Sequence, residues 1–318
     1  MEYLRIEIFI LTFNRKEYLK YAINSILNQS CKPYRITIVD NGSNDGTSEM
    51  CQAYQNKSVI YIKNAINSQF GVWEQIQKIA DSDYLMVFHD DDLLNTDYLK
   101  YVNEIINCKD NVVMVGCATG ISSINKISNY TFPSENITYK EFNTYSLATL
   151  LFKGFPLPFC SIVYKSEYFK KVNFNFDSYG KFFDRPLILN FSRLGDVVII
   201  KNKLVRTFVH SNQDSKSVSM GGNEDKLISV IKVYKDILAT SFFRKGSFIF
   251  FIFNFKRLLD FYNWNGKESS KYRFFVKSVE HSATTKFAIT IGFIYYYFFD
   301  FKSKARFILN LFSFSTHN

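Results

Sequence analysis

Residues 84–94 read Tyr84-Leu85-Met86-Val87-Phe88-His89-Asp90-Asp91-Asp92-Leu93-Leu94. The apolar opening reads as a buried strand, and it runs straight into three adjacent carboxylates. In α/β sheets of parallel strands, ligands collect at the carboxyl ends of the strands. Three neighbouring carboxylates repel one another, and a hard divalent cation offsets that repulsion well. Oxygen-only donors suit Mg2+ or Mn2+, which usually hold substrate phosphates as well. A solvated acidic turn capping the next helix would use the same residues. The strand-end position favours the cation.

Outward from this stretch, strands alternate with helices. Residues 4–12 (LRIEIFILT) read as a buried strand, and 16–28 place Leu19, Ala22, Ile23, Ile26 and Leu27 on one helical face. A second strand covers 35–40 (RITIVD), and Asn41, Gly42 and Gly46 mark the loop after it. A short helix is expected over 47–55, a third strand over 58–63 and a helix over 71–80. Beyond the aspartates, Asn95 or Thr96 is expected to cap a helix running through Ile106, and 112–116 (VVMVG) reads as a fifth strand. This alternation defines an α/β fold with a mostly parallel central sheet. Residues 117–160 are polar and irregular, then apolar around Leu147–Phe155. A helix over 184–194 and strands over 196–200 and 203–209 follow. After Ser219-Met220-Gly221-Gly222 the character changes, and the remainder reads as helical.

Composition supports that boundary. The 318 residues are 47% hydrophobic and 21% charged, as in a folded chain. Residues 225–318 hold 25 of the 57 aromatic residues and carry 15 Lys and Arg against 6 Asp and Glu. Nearly all of the net charge of +10 therefore sits there. A basic, aromatic region suggests an anionic partner, either phospholipid or nucleic acid. Its longest uncharged apolar run, Phe287–Phe299, has 13 residues, which fits a buried or interfacial helix better than a membrane span. The cysteines, Cys31, Cys51, Cys108, Cys117 and Cys160, form no CxxC pair and show no zinc-ligand spacing. A reduced, cytoplasmic chain is the expectation.

Two further strand ends carry chemistry. Asp40-Asn41-Gly42-Ser43-Asn44-Asp45-Gly46-Thr47 offers a carboxylate to a nucleobase N–H, although an ordinary Asx-rich turn reads the same way. Thr12-Phe13-Asn14-Arg15 offers polar groups to a nucleotide, or simply a helix cap at Asn14. In order and strand context the three stretches TFNR, DNGSNDGT and FHDDDLL resemble the family 2 glycosyltransferases, which use the GT-A fold. The resemblance covers about two thirds of the chain.

That resemblance implies a set of roles. Asp40 contacts the nucleobase, with Thr12, Phe13 and Asn14 beside it. Asn67 lies in a donor-contacting stretch, where Trp73-Glu74-Gln75 departs from the family pattern. Asp91 and Asp92 meet the ribose, diphosphate and metal, with Asp90 among the donor-contacting candidates; Asp92 is the first choice as ligand of a Mn2+ or Mg2+ cofactor, and Asp90 is either a spacer or a second ligand. His89 stands where the family often has its first aspartate. Downstream, Phe183-Asp184 occupies the position of the family's Glu-Asp pair, which makes Asp184 the general base; a capping role for Asp184 is the alternative. Arg206-Thr207-Phe208-Val209-His210 resembles a Y-R-x-H element, so His210 holds the diphosphate or orders the site, unless it is purely structural.

The implied reaction moves a sugar from a nucleoside diphosphate sugar, expected to be a UDP-sugar, to an acceptor hydroxyl with inversion. Residues 1–222 form the catalytic domain, with a donor half over about 1–116 and an acceptor half over about 117–222, and 223–318 form a helical region. The expected setting is bacterial surface polysaccharide or lipopolysaccharide synthesis, with a glycan or lipid-linked acceptor. Region 225–318 would dock peripherally on the cytoplasmic membrane face through Lys256, Arg257, Lys302, Lys304 and Arg306, which flank its aromatic runs. A sugar-phosphate nucleotidylyltransferase ranks low because LTFNRKEYL lacks glycine. A non-enzymatic membrane-surface or nucleic-acid-binding protein is the rival from another class, but no C2H2 or RNP motif appears and no nucleic acid is expected.

Overall fold

The computed structural model describes residues 4–54, 58–68, 70–152, 155, 157–210 and 224–242. Its strands are β1 (Ile6–Thr12), β2 (Arg35–Asp40), β3 (Val59–Lys63), β4 (Tyr84–His89), β5 (Asp92–Leu94), β6 (Val112–Ser123), β7 (Tyr139–Phe142), β8 (Ile162–Lys165) and β9 (Asp196–Val209). Its α-helices are α1 (Lys16–Leu27), α2 (Thr47–Gln52), α3 (Gly71–Ile79), α4 (Tyr98–Asn107), α5 (Thr144–Phe152), α6 (Ser166–Phe169), α7 (Phe176–Tyr179), α8 (Asp184–Phe191) and α9 (Glu224–Phe242). The strands form one sheet in the order β3-β2-β1-β4-β8-β6-β9-β5, with β7 also paired to β9. β1 to β4 are mutually parallel, and β8 enters antiparallel between β4 and β6. β6 and β9 return to the direction of β1, so the sheet is mostly parallel.

Alternation within the strands explains the apolar runs. Ile6, Ile8, Ile10, Met86 and Phe88 share a core with Leu19, Ala22, Ile23 and Ile26 of α1 and Leu99 and Val102 of α4. Phe9, Leu85 and Val87 alternate with these and are also fully buried. A strand covered on both faces has no reason to alternate polar and apolar residues. Glu7 breaks the run but is paid in full, since Arg35 donates at 2.7 and 2.9 Å and Thr37 at 2.7 Å.

Several sequence expectations are corrected. The helix after the aspartates begins at Tyr98, with Asp97 in the cap position and no side-chain cap of its own. Asn95 Oδ1 instead accepts from the N–H of Asp97 (2.9 Å), and Gln29 Oε1, from beyond α1, accepts from the N–H of Leu99 (3.0 Å). Asn14 does not cap α1. It adopts a left-handed conformation (φ 52°), and Arg15 takes the cap position. The fifth strand runs on to Ser123. The two late strands are one, β9, with an irregularity where pairing passes from Cys117↔Ile200 to Ala118↔Lys203.

By its contacts the chain divides into two units, one of residues Met1–Leu151 with Phe155–Val218 and one of Phe152–Gly154 with Ser219–Asn318. Of the expected helical region, α9 is described, and no described helix is long and apolar enough to cross a membrane. The aromatic runs and flanking basic residues beyond 242 lie outside the described residues.

Candidate active site

Strand register brings the three motifs together. Thr12 pairs with Asp40, and Leu11 pairs with His89, so the carboxyl ends of β1, β2 and β4 are level and adjacent. The loops after β1 and β2 are then bonded to each other. The N–H of Asn14 donates to Ser43 Oγ (2.8 Å), and the N–H of Asn44 donates to Asn14 Oδ1 (2.8 Å). Asp45 accepts from the N–H of Lys16 (3.0 Å), the first of α1, and from the N–H of Thr47 (3.1 Å). One carboxylate thus satisfies orphan donors at the starts of two helices. Gly42 and Gly46 carry the positive φ (93° and 88°) that this loop requires.

Asp40 lies at the base of this junction, wholly buried. It accepts from the N–H of Ser43 (2.8 Å) and from the Tyr61 hydroxyl (2.5 Å). Burial and the bond to Asp40 push the Tyr61 phenol above its ordinary range. Asn67 sits across from the same loop, accepting from Asn41 Nδ2 (2.6 Å). Phe13 is exposed at the mouth of the junction, a placement suited to stacking on a flat ring.

The acidic run is different. Asp90, Asp91 and Asp92 are all buried. Arg15 Nη1 reaches Asp90 Oδ1 (3.2 Å) and Asp91 Oδ2 (3.5 Å). Because β5 pairs with β9, the end of β9 delivers His210, whose Nε2 lies 2.8 Å from Asp91 Oδ2. The Tyr18 ring packs beside it, with centroids 5.3 Å apart. Asp92 faces His89 Nδ1 at 3.5 Å. Burial, then the neighbouring Asp91, push the Asp90 carboxyl up to about 7 against the opposing charge of Arg15. Burial raises Asp92 as well, against His89. Burial works against a charged His89, but the three aspartates outweigh it and push the imidazole up to about 9.

Among the described residues, Asp90 Oδ2, both carboxylate oxygens of Asp92 and Thr12 Oγ1 are buried and form no hydrogen bond of good geometry; their nearest polar company is His89 Nδ1, 3.5 Å from Asp92 Oδ2, the Cys160 thiol beside Asp92 and the Thr12 hydroxyl beside Asp90. Buried polar atoms in folded proteins are nearly always well satisfied, so under-satisfied carboxylate oxygens clustered at one strand edge suit a cationic ligand. A divalent cation fits these oxygens. The structure adds a donor that the sequence did not reveal: His89, Asp92 and Cys160 offer ligand atoms that all lie within 4.8 Å of one another. Cys160 follows Asp92 by many residues and belongs to no spacing motif.

Asp184 opens α8, with Phe183 in the cap position. It is the first helical residue, and its Oδ1 accepts from the N–H of Arg185 (2.8 Å). Burial raises its pKa, opposed by the charge of Arg185. Arg185 is itself buried, with its guanidinium 3.3 and 3.4 Å from the carbonyl of Phe155. A chain of rings connects this point to the acidic run. Phe183 lies 6.3 Å from Phe159, and Phe159 meets the His89 ring edge-on at 4.8 Å. Trp73, where the family pattern breaks, is buried among Phe159, Phe174 and Phe183. It is a packing residue of this aromatic cluster.

A sheet led by four parallel strands, with carboxylates at the carboxyl ends of β2 and β4, agrees with a GT-A fold. Solved structures of that fold match the chain. Residues 1–349 of TarS from S. aureus in complex with UDP-GlcNAc superpose with a TM-score of 0.60 at 14% identity, over 86% of this chain and 79% of that one. The mannosyltransferase PcManGT from Pyrobaculum calidifontis, in complex with GDP-Man and Mn2+, gives 0.51 at 11% identity, over 92% and 87%. The glycosyl transferase family 2 model matches residues 7–172, and the chain belongs to that family. The abequosyltransferase RfbV of Salmonella typhimurium is 33% identical over 111 residues, 33% of each chain. An uncharacterized glycosyltransferase of Rickettsia typhi, RT0329, is 26% identical over 219 residues, 67% of this chain and 66% of the relative. These matches thus span a third of the first relative's length and just under two thirds of the second's.

Proposed function

We propose that the chain transfers a glycosyl group from a nucleoside diphosphate sugar to an acceptor hydroxyl, with inversion at the anomeric carbon. The observation that carries this reading is the set of buried, under-satisfied carboxylate oxygens of Asp90 and Asp92 at the strand edge where all three motifs converge. The bonded loops of Asn14, Ser43 and Asp40 form a rigid floor for a nucleobase, with Phe13 at its rim and Asn67 opposite. Arg15 and His210 orient Asp91 beside the diphosphate position. Asp92, with Asp90 alongside, would hold a Mn2+ or Mg2+ whose charge offsets that of the departing nucleoside diphosphate. Asp184 accepts the proton of the acceptor hydroxyl as that oxygen attacks from the face opposite the leaving group. No covalent intermediate is required.

A UDP-sugar is the proposed donor, supported by the UDP-GlcNAc complex of TarS. Bacterial relatives and a composition rich in Lys, Asn, Ile and Phe support a bacterial surface polysaccharide or lipopolysaccharide setting. A catalytic domain over 1–222 and peripheral docking of 225–318 on the cytoplasmic membrane face, next to a glycan or lipid-linked acceptor, complete the proposal; the charge of that region supports the docking. The test is release of nucleoside diphosphate from a panel of UDP- and GDP-sugars with Mn2+, with and without chelator. Chelator-sensitive release is expected with at least one donor. No release from any donor, with or without a glycan acceptor, contradicts the proposal.

A further inference from the structure

We infer that the transferred sugar lies against the rings of Phe159 and Phe183, and that this aromatic wall selects a 6-deoxy sugar over its hydroxymethyl counterpart. The inference rests on the transferase reading and names the substrate class of that same site.

In-line displacement fixes where the sugar must be. Its anomeric carbon stands between the departing diphosphate and the acceptor oxygen, so the sugar spans the space from the acidic run to Asp184. Phe159 lies on the way between them. Its ring meets His89, at the end of β4, edge-on at 4.8 Å. On its other side it lies 6.3 Å from Phe183, the residue before Asp184. Phe183 is buried, whereas Phe159 is only half-buried and presents the open part of the wall.

The wall is held in place. Trp73 stands edge-on to both rings, with centroids 4.8 Å away in each case. Phe174 and Phe176 back Phe183 at 6.0 and 5.0 Å. Phe159 opens the short turn Phe159–Ser161, in which Ser161 donates to the carbonyl of Pro158 through its N–H (3.0 Å) and its hydroxyl (2.8 Å). Rings packed this way keep one orientation before a ligand arrives.

Neither Phe159 nor Phe183 carries a polar side-chain atom. A sugar hydroxyl turned toward this wall gives up its bonds to water and gains no partner from either ring. A methyl group there gains apolar contact and forfeits nothing. The exocyclic C6 reaches furthest from the ring of a hexopyranose, and exchanging its hydroxymethyl for methyl leaves the ring and the other hydroxyls unchanged. C6 is therefore the position at which the wall discriminates.

The test measures kcat/KM for Mn2+-supported nucleoside diphosphate release from donor pairs that share a nucleotide. The pairs are UDP-glucose and UDP-6-deoxyglucose, UDP-N-acetylglucosamine and its 6-deoxy analogue, and GDP-mannose and GDP-6-deoxymannose. In the pair used best, the 6-deoxy member should be preferred about 10–100-fold, the range over which an apolar pocket discriminates by a single small group. Phe159→Gln, which sets an amide at the wall, should reduce that preference to about threefold or less while leaving calorimetric UDP binding unchanged. Phe159→Leu, which keeps the wall apolar, should retain the preference. Equal or better use of the hydroxymethyl member in every productive pair overturns the inference. So does an undiminished preference in Phe159→Gln that binds UDP; if that variant does not bind UDP, Phe159→Tyr is read in its place by the same criterion. Release without the preference removes this inference and leaves the transferase reading intact. No release from any pair, with or without a glycan acceptor, overturns both.

Discussion

The junction of the β1 and β2 loops and the acidic run after β4 lie at the same edge of the sheet, yet they are built on opposite rules. In the junction, Asn14, Ser43, Asp45 and Asp40 bond one another and close donors at two helix starts. In the acidic run, three carboxylates are buried together, and four oxygens of this edge form no hydrogen bond of good geometry among the described residues. A closed network rigidifies whatever it carries. An open one costs stability until a ligand fills it. The difference separates a preorganised floor from the place where charge is received. It also predicts that substitutions in the two regions will damage different properties.

The largest expected effect is at Asp184. Asp184→Asn should lower the rate about 10²–10⁴-fold, the usual contribution of a general base. Losing the hydrogen bond that its Oδ1 accepts from the N–H of Arg185 would cost only about 1 kcal/mol of stability, and Asn can still accept it. Activity within a few-fold of the parent, in a turnover assay at saturating donor, would remove Asp184 from the role. Because burial holds its pKa above the ordinary 3.8, the rate should fall as pH drops through that raised value, since only the ionised carboxylate accepts a proton. The Asp184→Asn variant should lose this acid limb.

The next test sharpens the contrast between floor and site. Tyr61→Phe leaves the buried Asp40 short of a donor and should cost about 1–3 kcal/mol in denaturant unfolding. Thr12→Val removes a hydroxyl that forms no hydrogen bond of good geometry beside Asp90 and should cost less, about 0.5 kcal/mol, while weakening nucleotide binding. Equal destabilisation by the two changes would erase the distinction.

A smaller effect concerns Asp45. Burial opposes its charge, but bonds from Lys16 and Thr47 prevail and hold its pKa below the ordinary 3.8. Its stabilisation is therefore present above that value and lost as pH falls through the lowered one. Asp45→Ala should cost about 0.5–2 kcal/mol at neutral pH, and thermal melts should show the gap to the parent closing in acid.

The parallel half of the sheet was legible because it obeys local rules. Apolar runs, helical spacing and glycine-marked loops each sit within about a dozen residues, and the motifs at Thr12, Asp40 and Asp92 end three of those runs. The register that levels Thr12 with Asp40, and Leu11 with His89, agrees with what a parallel sheet demands. The second half was hidden for physical reasons. β5, β7 and β8 have only three or four residues, too few for periodicity to register. Gln29 caps a helix on which it does not lie, and Cys160 reaches Asp92 only because β8 inserts beside β4. Trp73 looked like a departure at a binding stretch. Its meaning appears only when Phe159, Phe174 and Phe183 arrive from distant segments to pack around it.

The central claim is that the buried carboxylate of Asp92 receives a cation together with the donor diphosphate. Calorimetric titration of UDP into the protein with Mn2+ present, for the parent and for Asp92→Asn, addresses it most directly. The parent should bind UDP in a Mn2+-dependent manner. The variant should lose that dependence while remaining folded. Unchanged Mn2+-dependent binding in Asp92→Asn would contradict the account.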